Sequence, residues 1–262
     1  MANGNNDIFY AVDEGIATVT INRPNARNAL TFAMYERLAA LCQEIDGDDA
    51  IKAVVVTGAG DKAFAAGTDI SEFRAFRSGQ DAIRYEKSVE VTLSAIERLR
   101  VPTIAAIRGV CTGGGAAIAG CCDLRVAARD VKIGYPVART LGNCISLTNY
   151  ARFSALIGAA RVKDIIFRAR LIEADEALSI GLVTELVDDP TQLVARALGM
   201  ARTVAGNAPL TIRATKEALL RLRPSFPEGA DDDLVLMCYE SDDFKEGMDA
   251  FLNKRSPKWR GR

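Results

Sequence analysis

The chain of 262 residues contains no histidine. Ser-His-Asp triads, Cys-His dyads, imidazole bases and His-ligated zinc are thereby excluded, so any catalysis must use carboxylates, Cys, Tyr, Lys, Arg or backbone dipoles. Neither sign of charge is in surplus: 33 Lys+Arg against 34 Asp+Glu leave −1, without the cationic field that recruits nucleic acid or anionic membranes. No apolar run approaches the ~20 residues of a membrane span, and no membrane association is expected. Six cysteines (Cys42, Cys111, Cys121, Cys122, Cys144, Cys238) show no CxxC spacing, and no metal site is expected. The opening MANGNNDIFY lacks the basic-then-apolar pattern of a signal peptide, which predicts reduced, mostly buried thiols in a cytoplasmic protein. What remains is ordinary globular composition, 49% hydrophobic and 26% charged, enough for a large core.

Short β-rich runs at 8–12 and 16–21, separated by Asp13-Glu14-Gly15, read as a hairpin. Asn22-Arg23-Pro24-Asn25 then breaks the strand. After a Thr31 N-cap, Met34, Leu38, Leu41 and Ile45 recur at helical spacing and predict a helix to about residue 46. Residues 52–57 form a continuous β-branched run, the pattern of a strand covered on both faces. Helices are predicted over 69–77 and 81–98, a buried strand over 103–107, and short strands over 123–127 and 131–133. Beyond Ile145 the pattern is helical, apart from a strand candidate at 182–187 and an Asp189-Pro190 helix start. Strands alternating with helices predict an α/β fold with a partly parallel sheet, its core over 1–190 and a helical region over 191–262. The stretch 242–252 predicts an acidic-started amphipathic helix that docks on a neighbouring surface.

Two glycine-bearing loops follow two apolar strands: Ala63-Phe64-Ala65-Ala66-Gly67-Thr68-Asp69-Ile70, and Gly109-Val110-Cys111-Thr112-Gly113-Gly114-Gly115. Both expose backbone N–H groups at a helix start. Side by side, one amide from each grips a single carbonyl oxygen, and grips it harder once it becomes an enolate. Neither loop carries a phosphate-loop lysine or GxGxxG spacing, so nucleotide hydrolysis and hydride transfer are poorly supported.

Six collinear stretches resemble the crotonase, or enoyl-CoA hydratase/isomerase, superfamily: NRPNARNALT at 22–31, KAVVVTGAGDKAFAAGTDI at 52–70, VPTIAAIRGVCTGGG at 101–115, CDLRVAA at 122–128, EADEALSIGLVTELV at 173–187 and SDDFKEGMDAFLNKR at 241–255. Together they span nearly the whole chain. The resemblance implies a spiral of ββα units with a helical C-terminal trimerisation region, assembled as a homotrimer or a dimer of trimers. It implies an acyl-CoA substrate and no cofactor beyond the coenzyme A of the thioester. By motif position the backbone amides of Thr68 and Gly114 match the oxyanion hole. Arg27, Ala66 and Asp69 match positions that contact the coenzyme, and Phe251 with Lys254 matches a C-terminal pair that reaches its nucleotide end.

The sequence departs from the family where hydratases carry two glutamates. Those positions are Ala117, two residues after the triple glycine, and Val137, after Pro136. Water addition needs a positioned base and acid, and between residues 98 and 172 the carboxylates are Asp123, Asp130 and Asp164. Tyr135, Arg139, Asn143 and Cys144 fall in the segment that borders the acyl pocket in the family, and Arg139 and Asn143 are the candidates taken from it. Glu86 and Glu90, one helical turn apart, read as an exposed polar face. Three readings stay open: a hydratase-like lyase or isomerase with nonstandard side chains, another enolate reaction such as decarboxylation, and a catalytically weak acyl-CoA-binding oligomer subunit.

Overall fold

The computed structural model describes residues 7–262; the first six, part of the stretch read for a signal peptide, lie outside the described residues. The hairpin of β1 (Ile8–Asp13) and β2 (Ile16–Ile21) is followed by α1 (Phe32–Asp46), capped by the Thr31 side chain accepting from Met34 N–H. Then a unit of two strands and a helix repeats. β3 (Ala53–Gly58) and β4 (Ala63–Ala65) precede α2 (Gly79–Glu97), and β5 (Thr103–Ile107) and β6 (Val110–Thr112) precede α3 (Gly114–Cys121). β7 (Leu124–Ala128) and β8 (Lys132–Gly134) lead into α4 (Val137–Thr140), α5 (Leu147–Ile157) and α6 (Ala159–Phe167). β9 (Ile172–Glu173), α7 (Ala174–Ser179) and β10 (Glu185–Val187) complete the strands. The chain ends in α8 (Leu193–Ala205), α9 (Pro209–Leu222), α10 (Asp232–Tyr239) and α11 (Asp242–Leu252).

Each repeat gives one strand to each of two sheets, ordered β1-β2-β3-β5-β7-β10 and β4-β6-β8-β9. Pairing is parallel from β2 to β10 in the first sheet and from β4 to β8 in the second. This is the spiral of ββα units that the motifs imply. Of the second sheet, the strand expected over 131–133 is β8, displaced by one residue, whereas β4, β6 and β9 were not legible, because segments of two or three residues are too short for a period-2 signal. The helix expected over 69–77 is a 3-10 segment, Ile70–Ala75, capped by Asp69, and the strand expected from 182 begins at Glu185.

The continuous apolar runs have a direct explanation. Val54, Val56, Ala105, Ile107 and Ala127 face the main core, whereas Ala53, Val55, Ile104, Ala106, Val126 and Ala128 face Leu193, Ala197 and Ala201 of α8. Successive strand residues therefore meet apolar matter on opposite faces. Leu193, Ala197 and Ala201 recur every four residues on one face of α8, and the two alanines let the helix lie close on the sheet. A third cluster, Phe73, Ala82, Ile83, Leu141, Val235, Tyr239 and Phe244, seats α10 and α11 on α2.

One buried ion network crosses the core. Arg152 of α5, 2% exposed, donates to both Glu90 oxygens (2.7 and 2.6 Å) and to Glu97 (3.2 and 3.1 Å), and Arg223 also pairs with Glu97. Burial opposes the Arg152 charge, and the two carboxylates outweigh it and raise its pKa. Arg152→Met leaves Glu90 without its cation and should lower the unfolding free energy by about 3–5 kcal/mol. Denaturant melts check this; an unchanged midpoint would show that the pair contributes no stability.

Candidate active site

The second sheet brings the two glycine loops together. β4 runs parallel to β6, with Ala63 opposite Val110 and Ala65 opposite Cys111, so segments 66–69 and 113–115 leave the sheet side by side. A β-carbon on Gly67 would lie 3.4 Å from the Thr112 carbonyl oxygen and 4.0 Å from Gly114 N; one on Gly113 would lie 3.4 Å from Gly67 Cα. The loops thus lie in van der Waals contact, and since both glycines hold positive φ, +110° and +52°, it is the backbone conformation that requires the missing side chain. Thr112 Oγ1 donates to the Ala66 carbonyl at 3.0 Å and ties the loops.

Among the described residues, two amides of these loops have no protein partner. Leu30 N–H donates to Gly67 C=O and Asp69 N–H to Leu30 C=O, each at 2.8 Å, and the Thr68 amide between them takes no part. Gly114 opens α3, where an N–H has no carbonyl one turn back. Tyr35 Oη lies 2.9 Å from Thr68 Oγ1, which lies 2.7 Å from Tyr85 Oη. The same Tyr35 Oη would be 2.0 Å from a β-carbon on Gly114, so one phenol braces both loops. Burial raises the Tyr35 and Tyr85 pKa values and keeps both hydroxyls neutral.

These loops wall a cavity of about 480 Å³. Thr68, Gly114, Arg27, Ala66, Asp69, Asn143 and Phe251 all line it, and so do Ala117 and Val137. Arg27 holds φ +51°, and its carbonyl accepts the Ala66 N–H at 3.1 Å, which fixes that loop at the rim. Asp69 is held by Ser71 and by Arg23 Nη1 (3.1 Å). Partial burial works against its charge, but these donors keep its pKa below the usual carboxylate range. Beneath the loop, the buried Asn28 amide donates to the carbonyls of Ala59 (2.9 Å) and Ala63 (2.7 Å).

Two candidates lie elsewhere. Arg139 is exposed and does not line the cavity: α4 turns Val137 and Leu141, four residues apart, inward and so turns Arg139 outward. Lys254 is exposed beyond the end of α11 and also stands outside the lining. Asn143 Nδ2 donates to the Cys144 carbonyl (3.1 Å) and to Tyr239 Oη (3.3 Å). Asn143 Oδ1 and Tyr135 Oη are buried with no protein partner among the described residues. The Cys144 thiol donates to the Leu234 carbonyl (3.6 Å), and the neighbouring Cys238 thiol together with burial raises its pKa far above the ordinary thiol range, which opposes use as a nucleophile.

The polar face expected for Glu86 and Glu90 does not exist. Glu90 is committed to Arg152, and Glu86 lines the cavity, where Tyr239 Oη donates to its Oε1 at 2.6 Å. Burial raises the Glu86 pKa to about 7; the Tyr239 bond lowers it and the charges of Asp231 and Glu90 add to the rise. The signal was present in the sequence: Ala82, Glu86, Val89 and Leu93 follow helical spacing, so Glu86 interrupts the apolar stripe of α2. Tyr35, Tyr85 and Tyr239 had no such mark, since a buried phenol and a buried phenylalanine share one pattern.

Glu86 links pH to stability. An unfolded glutamate titrates near 4.5 and the folded one near 7. Between those values the folded state binds more protons, so stability falls as pH rises from about 4.5 to about 7. Relative to wild type, Glu86→Gln should gain about 1–3 kcal/mol across that window. Thermal melts of the two proteins check it, and curves that stay parallel would show that the carboxyl is not displaced.

Comparison with known proteins agrees with this geometry. The family model for enoyl-CoA hydratase/isomerase matches residues 11–262. The short-chain-enoyl-CoA hydratase of Clostridium acetobutylicum is 34% identical over 253 residues, 95% of this chain and 96% of that one. Among solved structures, an enoyl-CoA hydratase/carnithine racemase from Magnetospirillum magneticum superposes with TM-score 0.80 at 34% identity, covering 99% of this chain and 97% of that one. A methylmalonyl-CoA decarboxylase in complex with 2-nitronate-propionyl-CoA superposes with TM-score 0.87 at 26% identity, covering 97% and 98%. Matched by the family model over residues 11–262 and by relatives at 34% identity over nearly its full length, the chain belongs to the enoyl-CoA hydratase/isomerase, or crotonase, family.

Proposed function

We propose that the protein is an acyl-CoA thioester enzyme that stabilises a thioester enolate between the backbone amides of Thr68 and Gly114. The observation that carries this reading is the contact of the two glycine loops, which sets two uncommitted N–H groups on one cavity. Such donors favour the oxyanion over the ground-state carbonyl, and each is typically worth about 3 kcal/mol. In this reading the coenzyme lies along Arg27, Ala66 and Asp69 toward Phe251, and Lys254 meets it only at its solvent end. The names of the relatives support an acyl-CoA substrate.

Hydration fits the site poorly. Ala117 and Val137 present methyl groups to the cavity, and each absent acid or base typically forfeits ~10²–10⁴-fold. Wild type should therefore hydrate crotonyl-CoA orders of magnitude more slowly than a glutamate-bearing relative, followed as loss of enoyl absorbance. Rapid hydration would overturn this. Saturable binding of butanoyl-CoA by calorimetry is expected, and its absence at millimolar ligand would remove the central claim.

Decarboxylation is a second reading, favoured by the superposition with methylmalonyl-CoA decarboxylase. Loss of carbon dioxide generates the enolate without a base. Release of carbon dioxide from methylmalonyl-CoA tests it, and binding without turnover of any thioester would leave a binding subunit.

The assembly proposed is a homotrimer or a dimer of trimers. α9 buries no residue and exposes Leu210, Leu219 and Leu222, an apolar face that a second copy would cover. Light scattering should give a mass that is a multiple of three of the 28.2 kDa chain; a monomer would contradict it.

A further inference from the structure

The positions where the family carries carboxylates, 117 and 137, are apolar here, yet the cavity contains two from other elements: Asp69, already held by Arg23 and Ser71, and Glu86. Glu86 enters from α2, and its neighbour Tyr85 touches Thr68. Its Oε1 accepts from Tyr239 Oη (2.6 Å), and Tyr239 Oη accepts from Asn143 Nδ2 (3.3 Å). The amide orientation of Asn143 is fixed by chemistry, because the Cys144 carbonyl 3.1 Å away only accepts. That leaves an amide, a phenol and a carboxyl in one directed chain ending at the cavity.

We propose that Glu86 is the proton-transferring group of this enzyme, with Tyr239 and Asn143 as its positioning residues. This rests on the acyl-CoA reading above. The ionised carboxylate takes a proton from the α-carbon of the thioester; the C–H electron pair becomes the enolate, and its charge passes to the thioester oxygen between the two amides. The neutral acid then returns a proton to the α-carbon, or to the γ-carbon where a double bond has shifted. One group does both transfers, with no net change of charge and no second carboxylate. The reaction class that suits it is a proton shift along the acyl chain, or protonation of an enolate formed by decarboxylation.

The groups that face Glu86 set its proton affinity. They are Tyr35 on α1, Tyr85 and Glu90 on α2, Cys144 in the loop before α5, Tyr150 on α5, Asp231 just before α10 and Tyr239 on it. Glu90, although paired with Arg152, and Asp231 both raise its pKa, and Tyr239 is the donor that favours the ionised form. With a pKa raised to about 7 by burial, the carboxyl is present in both forms near neutrality, as a group that must take and return a proton requires.

The test needs no knowledge of the natural acyl group. Butanoyl-CoA in deuterium oxide exchanges its α-protons whenever the enolate forms and is reprotonated, and proton NMR follows the loss of the signal. Wild type should exchange with a rate that rises through about pH 7, and Glu86→Gln should be slower by ~10²–10⁴-fold. Glu86→Asp should recover part of the rate. Tyr239→Phe removes the donor that lowers the pKa, so its profile should shift to higher pH and converge on wild type in alkali, a response that loss of packing alone does not give. Equal exchange in wild type and Glu86→Gln would overturn the assignment, as would butanoyl-CoA binding without exchange. Failure of wild type to bind butanoyl-CoA would instead overturn the acyl-CoA reading.

Discussion

Two stretches of backbone, at Gly67 and at Gly113, meet without side chains between them, and the site depends on that approach. The parallel pairing of β4 with β6 brings the loops to the same edge, and Tyr35 and the Thr112 hydroxyl keep them there. A methyl group at either glycine would fit at van der Waals contact but would have to adopt a disfavoured φ. The requirement reaches outward: β4 and β6 are short, so their register relies on the longer strands β3 and β5, which α8 clamps from the opposite face.

The helix α2 shows how one element divides its charges. Glu90 and Glu97 are held by Arg152 and Arg223 and cannot serve elsewhere. Glu86, one turn away from Glu90, has a phenol and an amide for company and borders the cavity. Burial opposes the charge of Glu97 and Glu86 alike, but the guanidinium groups keep Glu97 below the usual carboxylate range, whereas burial lifts Glu86, which has no cationic partner among the described residues.

The larger strands and α1 were legible because hydrophobic period and caps agree there; Thr31 caps α1 where its position foretold, and 103–107 is a strand end to end. Of the second sheet only β8 was legible; β4, β6 and β9, of three residues or fewer, are too short to show a period. Within the site, the glycine loops stood out by composition, and the missing glutamates at 117 and 137 by comparison with the family pattern. Arg139 illustrates the limit: its place in the acyl-pocket segment was right by sequence distance, but a single turn of helix sends its side chain outward. Glu86 illustrates the converse, a charge whose helical phase outweighed its appearance as a surface residue.

The last helix serves two ends of the cavity. Phe251 of α11 forms part of its wall. Earlier on the same helix, Phe244 packs on Tyr239 with ring centroids 4.7 Å apart and on Phe73 at 6.0 Å. Tyr239 in turn holds Glu86. A molecule that presses on Phe251 therefore leans on the same lever that sets a proton's affinity for Glu86. Reciprocity requires that any change in that affinity on binding reappear, equal in free energy, as a pH-dependent change in the affinity of the molecule itself.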